Sequence, residues 1–161
     1  MPDIDGIERP NGSRKAILVL EDEPFVMNVF RFALGSKGYT VIEASSAKQA
    51  HEQFRQHAGE VDLVITDPGL PDGSGVAVAL ALWLELPALR IIVTSGLPPS
   101  MWRDPDASAF EELPPDTAVL LKPFFPAKLI ELVESTIGHT ERSERPGDIG
   151  PVGSFPRTTA S

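Results

Sequence analysis

Each of four short apolar runs in this chain stops at a residue with chemistry to offer, and that arrangement constrains the fold more than any other feature. Ala16-Ile17-Leu18-Val19-Leu20 stops at Glu21-Asp22, Val61-Asp62-Leu63-Val64-Ile65-Thr66 at Asp67, Ile91-Ile92-Val93 at Thr94-Ser95, and Val119-Leu120-Leu121 at Lys122-Pro123. Short, nearly continuous apolar runs bounded by polar residues read as strands buried on both faces, the habit of parallel sheets in α/β proteins. A polar residue directly after such a strand sits at the carboxyl edge of the sheet, where open α/β folds keep their binding groups. One edge would then gather three acids, a hydroxyl and an ammonium, a set suited to a hard cation and a phosphoryl group.

Between these runs the apolar period changes from strand to helix. A first helix is expected over about Pro24–Ser36, opened by a proline at a tolerated position and carrying Phe25, Val29, Phe30, Phe32 and Ala33, with Gly35 and Gly38 near its end. Tyr39–Ala44 reads as strand two, and Ser46–His57 as a polar helix with Ala47, Ala50 and Phe54 as its stripe; strand three is Val61–Thr66. The next helix, about Gly75–Leu86, is apolar on every face. Such a helix either is buried, with its alanines outward and Trp83 snorkelling, or meets a subunit or partner. Strand four, about Leu89–Thr94, leads into Leu97–Thr117, where Pro98, Pro99, Pro105, Pro114 and Pro115 forbid a long helix. At most Ala107–Leu113 makes one or two turns, so the fourth helix is short, shifted or missing. Strand five at Ala118–Leu121 and a helix at Pro126–Ile137 close a doubly wound α/β domain with a five-stranded parallel sheet.

That domain is expected over residues 14–138. Residues 1–13 and 139–161 are rich in Gly, Pro, Ser and charge without apolar periodicity, and read as disordered tails. Fourteen Lys and Arg against 23 Asp and Glu give a formal charge of −9, and no basic run argues for direct nucleic-acid binding. Cysteine is absent, so there is neither a disulfide framework nor a thiolate metal site. No stretch reaches the roughly 18 apolar residues of a membrane span, and Met1–Asp5 lacks the apolar core of a secretory leader. The cytoplasm is the expected location.

The segments Ile17-Leu18-Val19-Leu20-Glu21-Asp22-Glu23-Pro24 and Asp62 through Gly75, then Thr94-Ser95 and Lys122-Pro123-Phe124, resemble in order and spacing the receiver domain of two-component response regulators. The resemblance covers about residues 14–138 and implies the flavodoxin-like receiver fold. It also implies that Asp67 is a phosphoacceptor served by a sensor histidine kinase or a histidine phosphotransfer protein. The implied metal is Mg²⁺, with Mn²⁺ as a substitute, held by Asp22, Asp67 and the carbonyl of Gly69, with Glu21 acting through water. Lys122 would pair with the acceptor and then with a phosphoryl oxygen. Thr94 would bond that phosphoryl group and move toward it, Ser95 is small enough to leave the entry open, and Pro123 would follow a cis peptide. The physical logic is consistent: a carboxylate accepts a phosphoryl group only where the charge developing beside it is neutralised.

The chain departs from the pattern at Val119, where many receivers carry an aromatic switch three residues before the lysine. With Thr94-Ser95-Gly96 and the weak fourth helix, this looks like an atypical subgroup in which the loop after Thr94 carries the change; Trp102, Phe124 or Phe125 are candidates to replace the aromatic. Gly69 and Gly96 leave water access to the acceptor unshielded. The expectation is a stand-alone receiver, not an enzyme, signalling to a downstream protein that the residues do not identify, with homodimerisation allowed. Two rival readings are a pseudo-receiver that binds partners without phosphorylation and an aspartyl-phosphate hydrolase of the haloacid dehalogenase kind. The second needs an acid where Gly69 stands.

Overall fold

A computed structural model describes residues 14–138, so both tail assignments lie outside the described residues. Thirteen elements follow one another as β1 (Ala16–Leu20), α1 (Pro24–Gly35), β2 (Thr40–Ala44), α2 (Ala47–Gln56), β3 (Val61–Thr66), the short strands β4 (Gly69–Leu70) and β5 (Gly73–Ser74), α3 (Gly75–Glu85), β6 (Arg90–Ser95), a 3₁₀ turn at Pro99–Met101, α4 (Asp106–Glu112), β7 (Ala118–Leu121) and α5 (Pro126–Ile137). Five strands form a parallel sheet in the order β2-β1-β3-β6-β7, while β4 and β5 pair as a separate antiparallel hairpin. The chain runs outward from β1 to β2 and then returns to β3 on the other side. Strand order reverses between β1 and β3, which is where an open α/β sheet leaves a crevice at its carboxyl edge.

Alternation along β1 explains the two cores. Ile17 and Val19 join Met27, Phe30 and Leu34 of α1 and Leu129 and Val133 of α5, whereas Leu18 and Leu20 join Phe54 of α2, Val76 and Leu82 of α3 and Ala109 of α4. Successive side chains point to opposite faces of the sheet, so helices cover both. The apolar stripe of α1 differs from the sequence expectation: Met27, Phe30, Ala33 and Leu34 are its buried residues, while Phe25 and Phe32 are 78% and 80% exposed. Residues 27, 30 and 34 follow the three- and four-residue spacing of one helix face, and residues 25 and 32 fall on another.

The apolar excess of α3 is absorbed largely within the chain. Ala77, Leu80 and Trp83 are half-buried against the same core as Trp102 and Phe110, which arrive from the proline-rich segment and α4, while Leu84 stays exposed. Helix α4 has only seven residues. It is fastened to α3 by Ser74 Oγ, which donates to Asp106 Oδ1 and accepts from the Ala77 N–H at 3.0 Å as the α3 N-cap.

Two further devices seat the hairpin after β3. The Asp72 carboxylate accepts from the N–H groups of Ala47 (2.7 Å) and Lys48 (3.0 Å), satisfying two of the free donors at the start of α2. Gly75 begins α3 so close to β3 that a Cβ there would stand 1.9 Å from the Asp67 carbonyl oxygen and 2.3 Å from Thr66 Oγ1. Only glycine fits this approach. We predict that Gly75→Ala loses about 1–3 kcal/mol of stability, whereas Gly69→Ala, which meets nothing within 4 Å, changes it by less than about 0.5 kcal/mol; urea melts of the two variants measure the contrast.

Hydrogen bonds from Ala47 and Lys48 hold the Asp72 carboxyl below its ordinary range. A depressed carboxyl stabilises the fold above its unfolded pKa and loses that effect as pH falls through the lower folded value. The difference in urea midpoint between wild type and Asp72→Ala is therefore expected to be full at neutral pH and to shrink as the pH falls below about 4. A difference that stays constant down to pH 3 would show that the ionised carboxylate is not what holds α2.

Candidate functional site

Backbone pairing that runs one residue beyond the strands positions the acids. Thr66 is in register with Leu20, the Asp67 N–H donates to the Leu20 carbonyl at 3.1 Å, and the Glu21 N–H donates to the Ala44 carbonyl at 3.0 Å. Asp67 thus sits beside Glu21 in the crevice where the strand order reverses. One carboxylate oxygen from each of Glu21, Asp22 and Asp67 lies within 4.8 Å of the others.

Lys122 enters from the end of β7, where its N–H donates to the Ser95 carbonyl at 2.8 Å. Its ammonium donates to Glu21 Oε1 and Asp67 Oδ2, both at 3.1 Å. The Lys122–Pro123 peptide is cis, and so is Asp104–Pro105. Burial works against the Lys122 charge, but the Asp67 charge and the bonds to Asp67 and Glu21 outweigh it, so the ammonium is held above its ordinary range. Glu21 is fully buried, and burial raises its carboxyl despite the Glu23 N–H and Lys122 bonds that favour ionisation. Its second oxygen accepts from the Glu23 N–H at 3.1 Å. Both Glu21 oxygens are therefore occupied, whereas Asp22 lies exposed at the mouth and Asp67 is partly exposed. Asp67 Oδ1 accepts from the Gly69 N–H at 3.2 Å.

Three carboxylates clustered around a single bonded ammonium keep an excess of negative charge, and all the donors are oxygens. That chemistry fits Mg²⁺ or Mn²⁺ better than a thiophilic metal.

The register Thr66↔Val93 sets Thr94 on the strand beside Asp67. Thr94 is 1% exposed and its Oγ1 has no hydrogen-bond partner, a condition among the described residues shared by Thr117 Oγ1. A buried hydroxyl without a partner costs about 1–3 kcal/mol. Ser95, by contrast, accepts from the Leu97 N–H (3.0 Å) and from Trp102 Nε1 (3.2 Å), and that indole also donates to the Leu97 carbonyl at 3.0 Å.

Of the three candidate aromatics for the one missing at Val119, Phe124 packs on Phe30 in the α1–α5 core with ring centroids 5.8 Å apart, and Phe125 is exposed. Trp102 is the one bonded to the residue after Thr94. The sequence marks Gly75 as a helix start but assigns no role to Asp72 or to the close approach at Gly75. An acid three residues before a glycine-initiated helix is a weak signal for either role.

Residues 17–134 match the response regulator receiver domain family, so this chain is a member of that family. It is similar to the sensor kinase CckA of Brucella abortus, with 36% identity over 86 residues covering 53% of this chain and 9% of that one. It is also similar to the transcriptional regulatory protein KdpE of Mycobacterium tuberculosis, with 40% identity over 75 residues covering 45% of this chain and 32% of the other. The chain thus spans no more than about a third of these relatives. A solved response regulator receiver protein from Sinorhizobium medicae superposes with a TM-score of 0.65 at 28% identity, covering 76% of this chain and 93% of that one. The five-stranded fold with its helices is that of the family. Receiver domains are signalling modules that bind Mg²⁺ through acidic residues and engage histidine kinases or phosphotransfer proteins. Among the described residues, no helix is long and apolar enough to cross a membrane.

If the acid cluster holds the cation, Mg²⁺ at 100 times its dissociation constant should add about 2.7 kcal/mol of stability. A thermal melt with and without MgCl₂ tests this, and Asp22→Asn should lose most of the increment. An Asp22→Asn protein that gains as much as wild type would place the ion elsewhere.

Proposed function

We propose that this domain accepts a phosphoryl group on Asp67 from the phosphohistidine of a sensor kinase or phosphotransfer protein, in a Mg²⁺-dependent step, and passes the signal on through protein contacts. The observation that carries this reading is the setting of the Asp67 carboxylate, bonded to Lys122 at 3.1 Å and grouped with Glu21 and Asp22 at the sheet's carboxyl edge. An Asp67 oxygen forms the new bond to phosphorus as the phosphorus–nitrogen bond of the donor breaks, and the bonding pair stays on the imidazole nitrogen. Charge then spreads over the equatorial oxygens beside an existing anion.

Lys122 is a flexible point charge that can exchange its bond to Asp67 for one to a phosphoryl oxygen. Asp22, Asp67 and the Gly69 carbonyl would hold Mg²⁺, with Glu21 acting through water. The ion supplies neutralisation of the transferring group. Glu21, its oxygens already bonded to Lys122 and the Glu23 N–H, keeps the lysine in place. The Thr94 hydroxyl would donate to a phosphoryl oxygen and so gain the partner it lacks. Gly69 and Gly96 contribute no side chain that would screen the product from water.

Intact-mass measurement after incubation with Mg²⁺ and acetyl phosphate tests the reading. One added phosphoryl group in wild type and none in Asp67→Asn is the expected result. A folded wild type left unmodified by acetyl phosphate and by a phosphohistidine donor would turn the assignment to a partner-binding module that works without phosphorylation.

A further inference from the structure

Helix α1 is apolar on two opposite sides. Met27, Phe30 and Leu34 face the core, whereas Phe25, Val29 and Phe32 recur on the far side at spacings of four and three residues. That spacing is the seam by which one helix packs on another. No described residue fills the seam: with Pro126 and Ile130 of α5 it walls an open groove of about 470 Å³. Phe25 and Phe32 stand 78% and 80% exposed, and Phe125, one residue before Pro126, 81%. These three rings leave roughly 500 Å² of apolar surface in water, as large a patch as a monomer ordinarily tolerates.

The seam is complementary to itself. In the last turn of α1 a Cβ on Gly35 would meet nothing within 4 Å, so packing inside the domain does not require a glycine there. Gly35 borders a second hollow with Asn28, Phe32 and Ser36. Laid antiparallel on its own copy, the seam sets Phe25 of one chain over the Gly35–Ser36 hollow of the other and interleaves Val29 with Phe32. The same arrangement brings the Glu23 end of each helix to the Lys37 end of its mate, acid to base. Arg31 beside the seam is already bound by Glu43, and Lys128 and Glu131 beside Ile130 face each other at 4.0 Å. Two chains of formal charge −9 therefore meet here across a surface with little charge to repel them. A two-fold contact uses the same patch from both sides, so the three rings alone supply roughly 1,000 Å² in total, the lower bound of a specific interface.

We propose that the Phe25–Val29–Phe32 face of α1, with Pro126 and Ile130, is a homodimer interface in which two copies of this chain pair α1 against α1 antiparallel. The inference does not rest on the phosphoacceptor reading: the seam contains none of the acids, and pairing requires no change at Asp67.

Sedimentation equilibrium of the full chain from micromolar to near-millimolar concentration tests it. Wild type is expected to rise from the mass of one chain to that of two, and Asp67→Asn to do the same. Phe32→Ala, a truncation of an exposed ring that leaves the core untouched, should weaken association about tenfold or more. Leu84→Ala, at the exposed apolar residue of α3, should leave it unchanged. In a ¹⁵N-labelled sample, amide shifts that follow dilution should fall on α1 and the first turn of α5. A single-chain mass at every concentration would overturn the proposal and leave the seam to a helix of a different protein. Dimerisation that survives Phe32→Ala, or dilution shifts centred on α4 and β7, would overturn it as well by placing the contact on another face.

Discussion

Mutual repulsion among Glu21, Asp22 and Asp67 is the constraint to which the rest of the structure answers. Carboxylates within 4.8 Å of one another stay together only where opposing charge and donors are supplied, because like charges repel at that distance. Lys122 supplies part of this from a position 101 residues beyond Glu21 and 55 beyond Asp67. The Glu23 and Gly69 N–H groups supply more. One bonded ammonium against three carboxyl groups leaves the acids in excess, a set of oxygen donors that fits a hard cation.

Holding those groups in place is the work of backbone geometry that looks incidental element by element. The parallel ladder continues past the ends of β1 and β3, which aligns Glu21 and Asp67. Gly75 lets α3 press onto the Asp67 carbonyl, Asp72 fastens the hairpin to α2, and Ser74 fastens α3 to α4. The segment that follows Asp67 is thereby held at three points. On the other side of the crevice Thr94 is unsatisfied and the proline-rich loop is bonded to Ser95 through Trp102.

Much of the fold and most of the acid site were legible in the residues. The apolar runs of buried parallel strands break where polar residues begin, so Glu21, Asp67, Thr94 and Lys122 mark the carboxyl ends of four strands, and a shared edge follows from the parallel arrangement. The prolines between Leu97 and Thr117 likewise foretold a short fourth helix, since a missing N–H and a fixed φ are local properties. Helix α1 shows where this reasoning stopped. Five of its apolar residues were noted, yet Phe25 and Phe32 lie outside the core and Met27 and Leu34 inside it. With so many apolar positions, periodicity alone does not choose between faces.

The sequence by itself determined the order of elements, the edge on which the chemistry gathers and the residue types present there, because these depend on short-range sterics and on the burial pattern of single strands. Only the tertiary structure decided that Asp72 would reach the amides of α2, that Gly75 had no room for a Cβ, that Lys122 would bridge two acids rather than one, and that Trp102 rather than Phe124 or Phe125 would bond to Ser95. Each of these is a contact between segments brought together by sheet register and helix packing. Such distances are set by the whole assembly of strands and helices, and no local run of residues encodes them alone.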